Sequence, residues 1–338
     1  MSYRIAINGF GRIGRNYLRR LMAKDMANAG LQVVAINDLY DTATLAHLLE
    51  YDSTFGRLDS EVGHDGDMLE VGWHSIPTFA RRSPDALPWG ELKVDLVIEA
   101  TGKLRTRDDA ALHLKAGAGR VLISAPGKSV DATLVPGVNA DTYEPALHQI
   151  VSAASCTTNC VAPLVKVIND AFGIEYGHLT TVHAYTNDQN ILDAPHKDAR
   201  RARAAGVNII PTSTGAAKAV GLVLPELAGR LSGVALRVPV VDGSISDLTL
   251  QLRAPFTAAQ VNEAVAAAAA PGGPMHGIIR YTDAPLVSTD IVGDPASCVF
   301  DAGLTQMQGH LLKVFGWYDN EWGYTNRLVD LTKQMARR

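Results

Sequence analysis

Arg4-Ile5-Ala6-Ile7-Asn8-Gly9-Phe10-Gly11-Arg12-Ile13-Gly14 is a short β-branched run that ends in glycines spaced GxGxxG and leads into a helical pattern through Leu21. A strand before the glycines and a helix after them is the context that a dinucleotide-binding turn requires. Glycine lets the chain turn tightly and bring its backbone against a pyrophosphate, while the helix N-terminus offers N–H donors and the positive end of its dipole. Asp38 closes the next run, Gln32 to Asn37, 24 residues after Gly14. A carboxylate there accepts both hydrogen bonds of an adenosine ribose diol and repels a 2'-phosphate, which favours NAD over NADP. Taken singly, the glycines also read as a structural turn, and Asp38 as a residue that caps the turn after Asn37.

Further β-branched runs follow at Val94 to Thr101, Arg120 to Ala125 and Gln149 to Ala154, several of them separated by helical stretches. Alternation of this kind, with nearly continuous apolar strands such as Val33-Val34-Ala35-Ile36, predicts a doubly wound parallel sheet, an α/β fold of Rossmann type. After about residue 156 the pattern changes to longer alternating strands, Ser244 to Arg253 and Cys298 to Gln308, with an Ala-rich helix from Ala258 to Ala270. This predicts a second, α+β domain built on a mixed or antiparallel sheet. Leu328, Leu331 and Met335 fall at helical spacing and predict a C-terminal helix that packs back on an apolar surface. The expected division is residues 1–155 plus 320–338 for the dinucleotide domain and 156–319 for the catalytic domain.

The chain has 338 residues, 47% hydrophobic and 20% charged, with a net charge of -4. Its length exceeds one domain of roughly 150 residues. The charge argues against nucleic acid or a membrane surface as partner, since both call for a basic field, and leaves a small molecule. No apolar run is long enough to span a bilayer, and the N-terminus does not read as a signal peptide. Three cysteines make no disulfide framework and fit a reducing, cytoplasmic compartment. No CxxC or histidine cluster supports a metal site.

Ser155-Cys156-Thr157-Thr158-Asn159-Cys160 stands where the run Gln149 to Ala154 passes into an apolar helix, Val161 to Ala171. A cysteine in a first helical turn faces unpaired N–H groups and the dipole, which favour its thiolate below the free value of ~8.5. Cys156 is the expected nucleophile; Cys160 and Cys298 are read as buried structural cysteines.

That segment, with His183-Ala184-Tyr185-Thr186-Asn187-Asp188-Gln189, resembles the phosphorylating, NAD-type glyceraldehyde-3-phosphate dehydrogenase family. So do Asn8 to Gly14, Tyr51-Asp52-Ser53-Thr54-Phe55-Gly56-Arg57, Pro211 to Lys218, Arg237-Val238-Pro239 and Trp317 to Tyr324, in the family's order and across essentially the whole chain. The resemblance implies that His183 is the base partnered with Cys156. It implies that Thr186 and Arg237 hold the substrate's terminal phosphate, and that Ser155, Thr157, Thr214, Gly215 and Arg201 hold the attacking inorganic phosphate. For NAD it implies the backbone of Arg12 and Ile13 at the pyrophosphate, alongside Gly9, Gly11 and Gly14. Asp38 would take the ribose, Arg82 the adenine side, Thr101 and Ser124 the nicotinamide half, and Asn320 the carboxamide, for which an amide supplies both donor and acceptor. It also implies a homotetramer, with the loop Asp188 to Asn208 near subunit contacts.

Ala194 departs from the larger apolar residue usual before Pro195 in strictly NAD-using relatives, so the expectation is a preference for NAD with some NADP turnover. Two other readings stay open at this stage. One is erythrose-4-phosphate dehydrogenase, which shares the cysteine and histidine but releases a free acid. The other is a non-enzymatic NAD-binding scaffold, which the fold alone permits.

Overall fold

Ile5, Ala6 and Ile7 are completely buried, and this places the first strand, Tyr3–Asn8, inside a parallel sheet rather than at its edge. The computed structural model describes residues 2–27 and 29–337. Across this sheet run Ala132–Thr133, Ile150–Ser152, Arg120–Ile123, Leu96–Glu99, Tyr3–Asn8, Leu31–Asn37 and His74–Phe79, each parallel to the next. Met68–Val71 and Val62–Asp65 extend the last edge antiparallel, two strands that the sequence reading did not anticipate. Strand order reverses between Tyr3–Asn8 and Leu96–Glu99. Beyond the carboxyl ends of two such strands lies the crevice in which open α/β sheets bind ligands. The parallel strands alternate with helices that include Arg12–Leu21, Thr42–Glu50 and Arg107–Lys115, as expected for a doubly wound fold.

Two units make up the chain. The first comprises the residues to Leu134, Thr142–Ala154 and the chain from Thr325 onward; the second comprises Val135–Asp141 and Ser155–Tyr324. The helix Trp322–Arg337 buries Leu328, Leu331 and Met335, each worth roughly 1.5–3 kcal/mol. Two polar contacts join its later turns to Arg12–Leu21: the Tyr17 and Thr332 hydroxyls meet at 2.9 Å, and Arg20 Nε donates to Asn326 Oδ1 at 2.7 Å.

The second unit is built on a mixed eight-stranded sheet among the described residues, with order Ile210–Ser213, Leu231–Val238, Ile174–Ala184, Ser244–Leu252, Leu311–Tyr318, Cys298–Asp301 and Ile279–Thr282, and with Gln306–Gln308 paired to Leu311–Tyr318. Helices Cys156–Phe172, Ala216–Val223 and Ala258–Ala269 accompany it. The single strand expected from Cys298 to Gln308 is two, because a turn at Ala302–Leu304 interrupts it. Only Cys298–Asp301 is buried; Gln306–Gln308 is exposed and pairs on one side. The helix after Cys156 is also longer than the apolar run suggested, beginning at Cys156 itself.

Gly11 and Gly14 answer to different constraints. A Cβ on Gly14 would stand 2.2 Å from the Gly9 carbonyl oxygen, whereas one on Gly11 would meet no protein atom within 4 Å. Gly14→Ala is therefore expected to cost on the order of 1–3 kcal/mol by overpacking, and Gly11→Ala to leave stability nearly unchanged. Urea unfolding of both variants checks this; equal midpoints would contradict it.

Candidate active site

The reactive groups come from two places, one where the chain passes from a strand into a helix and one where two strands pair. At the first, the strand Ile150–Ser152 gives way within three residues to the helix Cys156–Phe172. Ala154 adopts φ +56°, a left-handed conformation that costs a non-glycine residue about 1–3 kcal/mol. Ser155 then caps the helix: its Oγ accepts the Thr158 N–H at 3.0 Å. Cys156 is thus the first helical residue, among the unpaired N–H groups of the opening turn.

At the second, Ile174–Ala184 and Leu231–Val238 pair in parallel with His183 opposite Arg237. His183 Nε2 lies 3.4 Å from Cys156 Sγ. Its Nδ1 lies 2.7 Å from the Ala184 carbonyl oxygen, an acceptor that calls for a proton on Nδ1 and leaves Nε2 as the lone pair facing the thiol. Arg237 donates from Nη1 to the Ala184 carbonyl at 3.1 Å and to Thr186 Oγ1 at 3.4 Å. Its Nη1 also stands 3.0 Å from His183 Nδ1, a position the assigned tautomer makes a close approach of two donors rather than a bond. The buried Arg237 Nε has no partner among the described residues.

Burial disfavours a charge on either member of the pair. It pushes the Cys156 thiol up, against the pull of Arg237 and the Thr157 N–H, and it brings His183 down to about 3, with Arg237 adding to the fall. The expectation that the helix terminus by itself lowers the thiol is therefore corrected, since desolvation outweighs the lowering by Arg237 and by the Thr157 hydrogen bonds. Moving one proton from Sγ to Nε2 would instead create two charges that offset each other, and Arg237 favours the thiolate while opposing the imidazolium.

Tyr318, which the sequence reading did not single out, closes this site from beneath. Its hydroxyl meets Thr157 Oγ1 at 2.8 Å and Thr181 Oγ1 at 2.7 Å, and its ring stands edge-on to His183 with centroids 5.9 Å apart. Its signal lay in the Trp317 to Tyr324 motif. The Thr157 hydroxyl is consequently turned inward. Thr214 Oγ1 accepts the Ala216 N–H at 3.1 Å, and Gly215 precedes the helix Ala216–Val223. Arg201 is paired with Asp188 and donates to Thr212 Oγ1 at 3.0 Å, so its charge is already engaged. Asn320 Oδ1 accepts the Ser244 hydroxyl at 2.6 Å, and Ser244 Oγ accepts the Ala184 N–H at 3.0 Å. Cys160 and Cys298 are fully buried.

The remaining expected residues lie in the first unit. Gly11 precedes the helix Arg12–Leu21 with open space beside it, the kind of cradle a Cβ would fill. Asp38 Oδ2 accepts the Phe10 N–H at 2.7 Å, which ties the second strand's end to the glycine turn. Arg12 is held by Asp52 and lies over the Phe55 ring. The Ser124 N–H and hydroxyl both reach the Glu99 carbonyl oxygen, at 3.0 and 3.1 Å. Thr101 bonds the Glu99 carboxylate, and Arg82 is exposed.

Residues 3–107 match the family model described as the NAD binding domain of glyceraldehyde 3-phosphate dehydrogenase, and residues 155–320 match that of its C-terminal domain. The chain is 58% identical over 331 residues to glyceraldehyde-3-phosphate dehydrogenase 2 of Streptomyces arenae, covering 98% of each chain. It is 57% identical over 333 residues to the Streptomyces coelicolor enzyme, again 98% of each, and 55% identical over 340 residues to that of Mycobacterium avium, 100% of this chain and 99% of the relative. The chain belongs to the glyceraldehyde 3-phosphate dehydrogenase family. The residues matched to the NAD binding domain lie in the first unit, and the pair at 3.4 Å falls within the residues matched to the C-terminal domain.

Joint ionisation carries a pH signature. In His183→Asn the thiol must ionise alone against burial, so the pH midpoint for alkylation of Cys156 is expected above the free-thiol value of about 8.5 and above that of the wild type. Iodoacetamide rates across pH, read by peptide mass, check this; a midpoint in the variant at or below the wild-type one would contradict it.

Proposed function

We propose that this protein oxidises glyceraldehyde 3-phosphate to 1,3-bisphosphoglycerate with NAD and inorganic phosphate, through a covalent thioester on Cys156. The observation that carries the reading is the Cys156–His183 pair at 3.4 Å with the half-buried Arg237 guanidinium beside it. A guanidinium recognises a phosphate with charge as well as geometry.

Cys156 Sγ attacks the aldehyde carbon while His183 Nε2 takes the thiol proton, which passes to the carbonyl oxygen to complete the thiohemiacetal. NAD supplies the acceptor for the hydride that leaves this carbon. His183 Nε2 removes the hydroxyl proton in the same step, so the carbon is oxidised by two electrons to the thioester; positioned base catalysis of this kind contributes typically ~10²–10⁴-fold. Inorganic phosphate then attacks the acyl carbon, the C–S bond breaks and Cys156 is regenerated. Thr186 and Arg237 hold the substrate's own phosphate. Ser155, Thr157, Thr214 and Gly215 receive the attacking one, with Thr157 acting through its backbone because its hydroxyl is committed to Tyr318. Arg201 joins them only if it gives up Asp188.

Gly9, Gly11 and Gly14 with the Arg12 and Ile13 backbone receive the pyrophosphate, Asp38 the adenosine ribose, Arg82 the adenine side, Thr101 and Ser124 the nicotinamide half and Asn320 the carboxamide. Asp38 favours NAD, and Ala194 leaves room for a minor turnover with NADP. The loop Asp188 to Asn208 and its neighbour expose Ile191, Leu192, Val207 and Ile209, an apolar surface in keeping with a homotetramer. No described helix is long and apolar enough to cross a membrane. The free thiols of all three cysteines accord with a cytoplasmic address.

NADH formation from glyceraldehyde 3-phosphate is expected to depend on inorganic phosphate, to disappear in Cys156→Ser, and to have a higher kcat/KM with NAD than with NADP. Arg237→Leu is expected to raise KM for the aldehyde by roughly tenfold or more. Acid product formed equally without phosphate would favour the erythrose-4-phosphate type of reaction, and a kcat/KM favouring NADP would contradict the cofactor reading.

A further inference from the structure

Beneath the NAD crevice of the first unit lies a buried polar network that none of the proposed catalytic steps uses. Its centre is Glu99, the last residue of Leu96–Glu99, with 1% of its surface exposed. Four donors converge on its carboxylate. Oε1 accepts the Thr101 N–H at 2.9 Å and the Thr101 hydroxyl; Oε2 accepts Asn8 Nδ2 at 2.5 Å and stands 3.0 Å from His113 Nε2. His113 is itself fixed, for the Trp89 indole N–H donates to its Nδ1 at 2.9 Å. An accepting Nδ1 puts the ring proton on Nε2, aimed at Glu99.

The network reaches both ends of the crevice. Asn8 Oδ1 accepts Asn37 Nδ2 at 2.7 Å, and Asn37 in turn clasps the backbone of Arg81, accepting its N–H and donating to its carbonyl, both at 2.9 Å. Arg82 follows directly. On the other side Glu99 holds Thr101 by its carboxylate and Ser124 by its carbonyl oxygen. Thr101 also packs against the glycine turn: a Cβ on Gly9 would lie 2.6 Å from the Thr101 nitrogen. With its proton committed to Glu99 and one lone pair taken by the Lys103 N–H at 3.1 Å, Thr101 Oγ1 keeps a second lone pair as an acceptor.

We propose that Glu99 is a positioning residue for the dinucleotide: its buried carboxylate sets Thr101 as an oriented acceptor at the nicotinamide half. The inference rests on the assignment of Thr101 to the NAD site. Nothing else at this position would serve as well. A glutamine offers one oxygen where four donors point inward, and its own N–H groups would face donors.

The test compares wild type, Glu99→Gln, Thr101→Val and the double variant by NAD titration, with ADP-ribose, which lacks the nicotinamide, as the second ligand. Each single variant is expected to weaken NAD roughly tenfold or more and ADP-ribose by less. The double variant should be little weaker than the worse single one, because both act through one contact. Alkylation of Cys156 without NAD should keep its wild-type rate in all of them. Unchanged NAD affinity in a folded Glu99→Gln, equal losses for the two ligands, or additive losses would overturn the proposal. If Glu99→Gln does not fold, wild-type NAD affinity in Thr101→Val overturns it alone. A wild-type protein that fails to bind NAD would instead overturn the cofactor reading.

Discussion

In the proposed reaction one proton moves across the 3.4 Å between Cys156 and His183, and the elements around the pair serve that requirement. Neither group is easily charged there alone, so each element around them supplies something that the pair lacks. Ser155 starts the helix one residue before the sulfur, and the left-handed Ala154 makes that abrupt start possible. The Ala184 carbonyl fixes the imidazole tautomer, and Tyr318 supports both Thr157 and the ring. Arg237, opposite His183 in the parallel register, pulls the thiol down against its burial.

The first unit follows a different logic. Its polar groups are not poised for reaction but are satisfied in place, by Glu99, Asn8, Asn37, His113 and Trp89, at the point where strand order reverses. A fully paired buried network resists rearrangement because every alternative leaves a donor or acceptor stranded. Rigidity below the crevice and open space beside Gly11 together describe a surface prepared for a ligand rather than moulded by one.

How much of this was legible in the sequence depended on distance along the chain. The glycine turn, Asp38 and the Cys156 junction are local patterns, so strand, turn and helix signals sufficed to place them. His183 and Arg237 became legible only through motif resemblance, since nothing local says which strands pair. The Glu99 network was invisible: Asn8 and His113 lie 105 residues apart, and a buried glutamate in an apolar run carries no mark of its partners. The inward turn of Thr157 was hidden for the same reason, its partner Tyr318 being 161 residues away. The break at Ala302–Leu304 escaped a reading based on alternation, because Cys298–Asp301 is buried on both faces and Gln306–Gln308 on neither.

The most direct test of the account is the mass of the protein after reaction with glyceraldehyde 3-phosphate and NAD in the absence of phosphate, quenched in acid. It predicts one phosphoglyceroyl group, mapped to Cys156, which disappears when inorganic phosphate is added before the quench. No adduct, or one carried by Cys160 or Cys298, would contradict it.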